Sequence, residues 1–244
     1  MTIIGFCAGF ALDELISRLA REPFERREAD AAAERADDFD ASAPAPSLDL
    51  ASEVGQVALP WSLTGGSMFR RVIVVATTAV LFALVGRQYA GHVPSMIVVA
   101  GYVSVLLICA ATDIIAYRVP NVVSYPAIVG ALLLGLLWPG ADRLSVAGGG
   151  LLAGGLFLAC ALLPGGPMGM GDVKLALFIG FALGFVFVVQ AMLVMAITGG
   201  LVATVLLVLK VLRVRQVTYM FYAPFISAGA IFVLLAEGAA IHPF

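Results

Sequence analysis

Charge is what this chain has least of. Only 12% of its 244 residues are Asp, Glu, Lys or Arg, against about a quarter in an average soluble domain. With 61% hydrophobic residues and a mean hydropathy of +1.04, a water-soluble fold is excluded. Cysteine is nearly as scarce. Cys7, Cys109 and Cys160 lie far apart, each inside an apolar run. Far apart and without Cys-x-x-Cys spacing, they are not expected to form a disulfide framework or zinc site, and the three read as small buried hydrophobes. No cluster of Lys and Arg forms a patch suited to nucleic acid. The N-terminus lacks the basic region of a secretory signal, and Asp13 and Glu14 follow its short apolar run. Residues 1–20 therefore read as a retained first helix.

What is abundant is long apolar sequence. A membrane-spanning helix needs about 20 largely apolar residues. Windows of that kind predict an all-α polytopic membrane protein with about eight spans, near residues 2–18, 72–86, 93–112, 121–138, 144–163, 173–186, 187–209 and 222–240. The first is the weakest because it holds two carboxylates. The sixth and seventh are joined with almost no loop. Many of the 26 glycines fall in these windows. Gly130, Gly135, Gly148, Gly149, Gly150, Gly154 and Gly155 crowd the fourth and fifth spans, where small residues let membrane helices approach closely. Residues 72–244 are thus expected to form a seven-helix core.

Residues 21–71 differ in kind. From Arg21 to Glu53 there are ten acidic residues and four arginines. Such a stretch buries too little apolar area to offset its ordering entropy. It reads as a charged helix giving way to a tether, with a docking surface for a partner as the alternative. With the N-terminus outside, twelve of the fourteen Lys and Arg fall in inner loops and two, Arg87 and Arg143, in outer ones. Basic residues mark the cytoplasmic side, so both termini are expected to face away from the cytoplasm. His92 and His242 then lie in outer segments and are poor ligand candidates.

Few ionisable groups remain near the membrane. Asp113 ends the third predicted span and Asp172 opens the sixth, both at the cytoplasmic boundary. A carboxylate beside hydrocarbon is expensive, and is a functional hypothesis by default. Two carboxylates at one depth on different helices can share a proton. One then acts as general base on a water and the other as general acid on a scissile carbonyl, with no metal or cofactor. The competing reading is that each acid caps its helix or pairs with a nearby Arg or Lys. The run Pro164-Gly165-Gly166-Pro167-Met168-Gly169-Met170-Gly171-Asp172 breaks the helical pattern. Irregular backbone at membrane depth is tolerated only where it is buried in protein or lines a water-filled cavity. Gly169 and Gly171 would let a substrate backbone come close.

Gly169-Met170-Gly171-Asp172-Val173-Lys174 resembles the Gly-x-Gly-Asp-x-Lys signature of the type IV prepilin peptidases, membrane aspartic proteases that remove the leader from prepilins and pseudopilins. Asp113 followed by Arg118, Val119, Pro120 and Asn121 is similar to the family's first aspartate and the turn after it. Tyr222-Ala223-Pro224-Phe225 resembles the motif before the last helix, and Gly5, Gly9 and Arg18 resemble the first helix. The resemblance covers residues 1–20 and 72–240. It implies that Asp113 and Asp172 are the catalytic pair, with Gly169, Gly171, Lys174, Arg118, Pro120, Asn121, Pro224 and Phe225 as supporting residues. It implies cleavage at the cytoplasmic face of a bacterial cytoplasmic membrane, on substrates with an apolar N-terminal helix. Lys174 is either close to the reacting groups or a cation at a helix end reaching for the interface. Arg118 reads as a headgroup anchor.

The chain departs from the family in one respect. Bifunctional members carry two Cys-x-x-Cys pairs, suited to zinc, between the first two helices and methylate the new amino terminus. Residues 21–71 hold no cysteine, so protease activity without methyl transfer is expected. A proton-coupled transporter using the same acids and an inactive assembly factor stay open as alternatives. A protease of presenilin or signal peptide peptidase type is disfavoured, because Thr112 rather than Tyr precedes Asp113.

Overall fold

The computed structural model describes residues 3–19, 67–116, 119–163, 169–211, 222–239 and 242–243. Among these the chain is helical: α1 (3–19), α2 (Ser67–Gln88), α3 (Val93–Ala116), α4 (Asn121–Leu137), α5 (Arg143–Leu162), α6 (Met170–Leu183), α7 (Phe185–Val211) and α8 (Ala223–Ala236). A two-residue antiparallel pairing of Gly238–Ala239 with His242–Pro243 follows α8. The charged residues 20–66, Arg118 and the segment 164–168 lie outside the described residues.

Each of the eight apolar windows falls on a helix, but a helix is not always a span. By length and composition four can cross a membrane: Arg71–Gln88 of α2, all of α3, all of α5 and Phe185–Val205 of α7. The chain is thus a polytopic helical membrane protein. The apolar helices α4 and α8 are shorter, at 17 and 14 residues, and α6 also has 14. At 1.5 Å per residue, 14 residues reach about 21 Å, short of about 30 Å of hydrocarbon. Helix length therefore does not carry an eight-span count. Two boundaries also move. α2 begins at Ser67, because Arg70 and Arg71 end an apolar window without ending a helix. α3 runs on through Ala116 and takes Asp113 into its last turn.

Backbone-level packing sets the arrangement. α6 is buried along most of its length, including Asp172, Leu175, Ala176, Phe178, Ile179 and Leu183. It meets α5 through glycine: a methyl on Gly149 would stand 2.5 Å from the Gly180 carbonyl oxygen, and one on Gly154 would stand 2.7 Å from Leu177. The Phe181 ring fills the space beside Gly150. Gly135 is similarly closed by Val146, whereas Gly130 and Gly155 have nothing within 4 Å. Only part of the glycine stripe is therefore a packing device. α6 ends at Gly184, whose φ of 78° turns the chain straight into α7. A side chain there would be strained, which explains why these two helices need no loop.

The two carboxylates of α1 are accommodated differently. Asp13 is buried, and its Oδ2 pairs with Arg71 Nε at 3.0 Å. Glu14 stays at the surface, 3.1 Å from Arg18 Nε one turn later. Gly5 and Gly9 bring α1 onto α2, with a methyl on Gly9 falling 2.7 Å from Val75 Cα. Leu12 and Ile16 then pack on Ile108 of α3, so α1 docks beside the end of α3 that carries Asp113.

Candidate active site

Asp113 sits in the last turn of α3 and is half-buried. The residue before it, Thr112, is buried, and its hydroxyl donates back to the carbonyls of Ile108 at 2.7 Å and Cys109 at 3.1 Å. Asp113 lies beside the backbone N–H of Ala223, the first residue of α8. The first N–H groups of a helix have no partner within it, and a carboxylate satisfies one while facing the positive end of the helix dipole. Pro224, in the first turn, has no N–H to offer. The adjacent Ala223 donor is therefore the one α8 presents.

Asp172 lies in the first turn of α6 and is 8% exposed. Its Oδ2 accepts from the Gly169 N–H at 3.3 Å, which caps its own helix. Asp113 is close enough to Asp172 to feel its charge. Two acids 59 positions apart in sequence thus lie within range of each other's charge, each near the start of a different helix. The capping alternative is therefore true of Asp172 without excluding a further role, since one cap bond leaves the other carboxylate oxygen unused.

The motif residues on α4 and α6 contact one another beside Asp172. A methyl on Gly171 would stand 3.0 Å from Val119 Cβ, so the two motif turns pack against each other. Pro120 is the N-cap of α4, with φ −71° and ψ 125°. Lys174 Nζ donates to Asn121 Oδ1 at 2.7 Å and stands 4.6 Å from the centroid of the Tyr125 ring. Gly169 supplies the cap donor and leaves open space beside itself. Phe225 is turned towards α7, where a methyl on Gly199 would meet its ring at 3.6 Å. Arg118 lies outside the described residues.

Sequence reasoning missed three groups. Ala223 contributes only its N–H, and a backbone donor leaves no mark in the residue type. Tyr125 was legible in principle, one helical turn after Asn121 and hence on the same face. Ser124 donates its hydroxyl to the Pro120 carbonyl at 2.8 Å. It also lies near Cys109, which is fully buried.

Residues 100–205 match the model of the type IV leader peptidase family. Both aspartates and the Gly169–Lys174 motif fall inside that stretch. Over this stretch the chain is similar to the type IV leader peptidase family. It is also 33% identical over 162 residues to the prepilin leader peptidase/N-methyltransferase of Bacillus subtilis (strain 168), a match covering 65% of this chain and 62% of that relative. The chain thus matches less than two thirds of the relative's length. No solved structure matches it. The leader peptidase match ends within α7, before Ala223 and Pro224, so the start of α8 beside Asp113 lies beyond the family model's reach.

Proposed function

We propose that this protein is a membrane aspartyl endopeptidase that removes the leader peptide from prepilins or pseudopilins, with Asp113 and Asp172 as its catalytic residues. The observation that supports the reading is that these two carboxylates, from α3 and α6, lie within range of each other's charge inside the stretch that matches the leader peptidase family. In the reaction one carboxylate takes a proton from a water. The resulting hydroxide adds to the scissile carbonyl carbon while the other, protonated, carboxyl gives its proton to the carbonyl oxygen. Collapse of the diol then breaks the C–N bond and the leaving nitrogen is protonated, which returns the pair to its starting state. Cleavage of a prepilin-type substrate by purified protein in liposomes, compared with variants at the two aspartates, is the direct test.

The twelve-to-two bias of basic residues supports an active site on the cytoplasmic face. A substrate whose apolar helix lies in the bilayer then presents its leader at the interface, beside both acids. The acidic stretch within residues 21–53 adds attraction for a basic leader, limited by screening beyond about 8 Å at physiological ionic strength. Deletion of residues 25–60 is expected to raise KM at low salt and to have little effect at high salt. Identical kinetics at low salt would rule out this attraction.

We further propose that cleavage here is not followed by methyl transfer, because residues 21–71 hold no cysteine to build a zinc-stabilised domain. Incubation with S-adenosylmethionine carrying a labelled methyl group should leave the cleaved product unlabelled. Robust incorporation would overturn this. A proton-coupled transporter has no comparable support, since both acids sit at helix ends and the family match is to a peptidase.

A further inference from the structure

Lys174 is placed where two different roles would look alike in sequence. It lies two residues after Asp172, close enough to suggest a cation acting on the acid or on substrate. Its ammonium is instead engaged by α4, donating to Asn121 Oδ1 at 2.7 Å while resting 4.6 Å from the centre of the Tyr125 ring. Asn121 and Tyr125 are one turn apart on α4, so a single cation is gripped by a hydrogen bond and a cation–π contact from one helix face. Next to this contact Gly171 packs closely on Val119, where an added methyl would stand 3.0 Å from Val119 Cβ.

The two segments joined here are those that lead to the two acids. Asp172 precedes Lys174 by two residues in the first turn of α6, and Asp113 precedes Asn121 by eight, at the end of α3. Asp113 otherwise lies beside the start of α8, and Asp172 bonds to its own helix start. Neither contact joins α4 to α6. We infer that Lys174, Asn121 and Tyr125 form a latch between the starts of α4 and α6 that sets the spacing of the two aspartates, making Lys174 a positioning residue rather than a catalytic one. Lysine suits the task because its flexible stem lets the ammonium reach across while remaining at the wet edge of the bundle. The inference rests on reading Asp113 and Asp172 as the reacting pair.

A latch and a direct contact differ in how substitutions combine. Lys174→Met alone, and Asn121→Ala with Tyr125→Leu, should each lower kcat about tenfold with little change in KM, because loss of alignment affects the reacting geometry more than binding. The triple variant should be no slower than the slower of the two, since both remove the same contact. Lys174→Arg should recover most of the rate, as guanidinium both donates to an amide and stacks on an aromatic ring. If Lys174→Met costs as much without Asn121 and Tyr125 as with them, or acts mainly on KM, the latch is wrong. A second readout does not depend on cleavage. Spin labels at Val122→Cys and Met170→Cys, exposed by 71% and 60%, report the α4–α6 distance once Cys7, Cys109 and Cys160 are replaced by alanine. The distribution should broaden with Lys174→Met, and an unchanged distribution would overturn the proposal. Broadening in a protein that cleaves nothing would uphold the latch and remove the peptidase reading.

Discussion

Asp113→Asn and Asp172→Asn should each lower leader cleavage by about 10²–10⁴-fold, the usual contribution of a positioned proton-transfer group. Neither should unfold the protein. Asparagine keeps a carbonyl oxygen that can accept from the Ala223 N–H at position 113 or from the Gly169 N–H at position 172. What the amide cannot do is take a proton from water or give one to a carbonyl oxygen. Because the two acids act on one water and one carbonyl, their losses should not add. The double variant is expected to be about as slow as either single one. Circular dichroism and a melting curve in detergent separate loss of chemistry from loss of fold. A folded variant at either position that cleaves at the normal rate would end the paired-aspartate reading and revive the transporter alternative.

The second large effect concerns the α5–α6 contact. A methyl on Gly149 would stand 2.5 Å from the Gly180 carbonyl oxygen and 2.8 Å from the Phe185 nitrogen, so the obstacles are backbone atoms that cannot rotate aside. A methyl on Gly180 meets the Gly149 carbonyl oxygen and, at 2.6 Å, Gly150 Cα. Forcing atoms into a filled interface costs about 1–3 kcal/mol, so Gly149→Ala and Gly180→Ala should each lower the melting temperature by several degrees. Gly155→Ala is the matched control, on α5 but with nothing within 4 Å, and should melt like wild type or slightly higher. α6 also carries Asp172, so the two tight-site variants should lose activity along with stability. Melting of Gly180→Ala at the wild-type temperature would mean that the helices are not held together at this crossing.

The first helix shows what a tally of charge leaves out. Two acids inside an apolar window count against a membrane helix when charge is merely tallied. In three dimensions Asp13 pairs with Arg71 at 3.0 Å, and Glu14 lies on a face where it meets Arg18. The partner of Asp13 is 58 residues away, and hydropathy carries no information about pairing at that distance. The glycines teach the converse. Gly149 and Gly155 are indistinguishable by residue type and share a helix, yet one touches backbone and the other touches nothing. Which face of α5 turns to α6 was decided by the whole bundle.

Composition alone determined that the chain is helical and lives in a membrane, because scarce charge and long apolar runs leave no other stable arrangement of backbone hydrogen bonds in lipid. Motif spacing alone picked out Asp113 and Asp172, since a carboxylate beside hydrocarbon is rare unless it has a use. Only the tertiary structure put those acids within range of each other's charge, set Asp113 beside Ala223 at the start of α8, and turned Lys174 towards Asn121 and Tyr125. These residues are 49 to 110 positions apart along the chain. Local pattern reports what a residue can do and how deep it lies. Which neighbour it meets depends on how the helices pack.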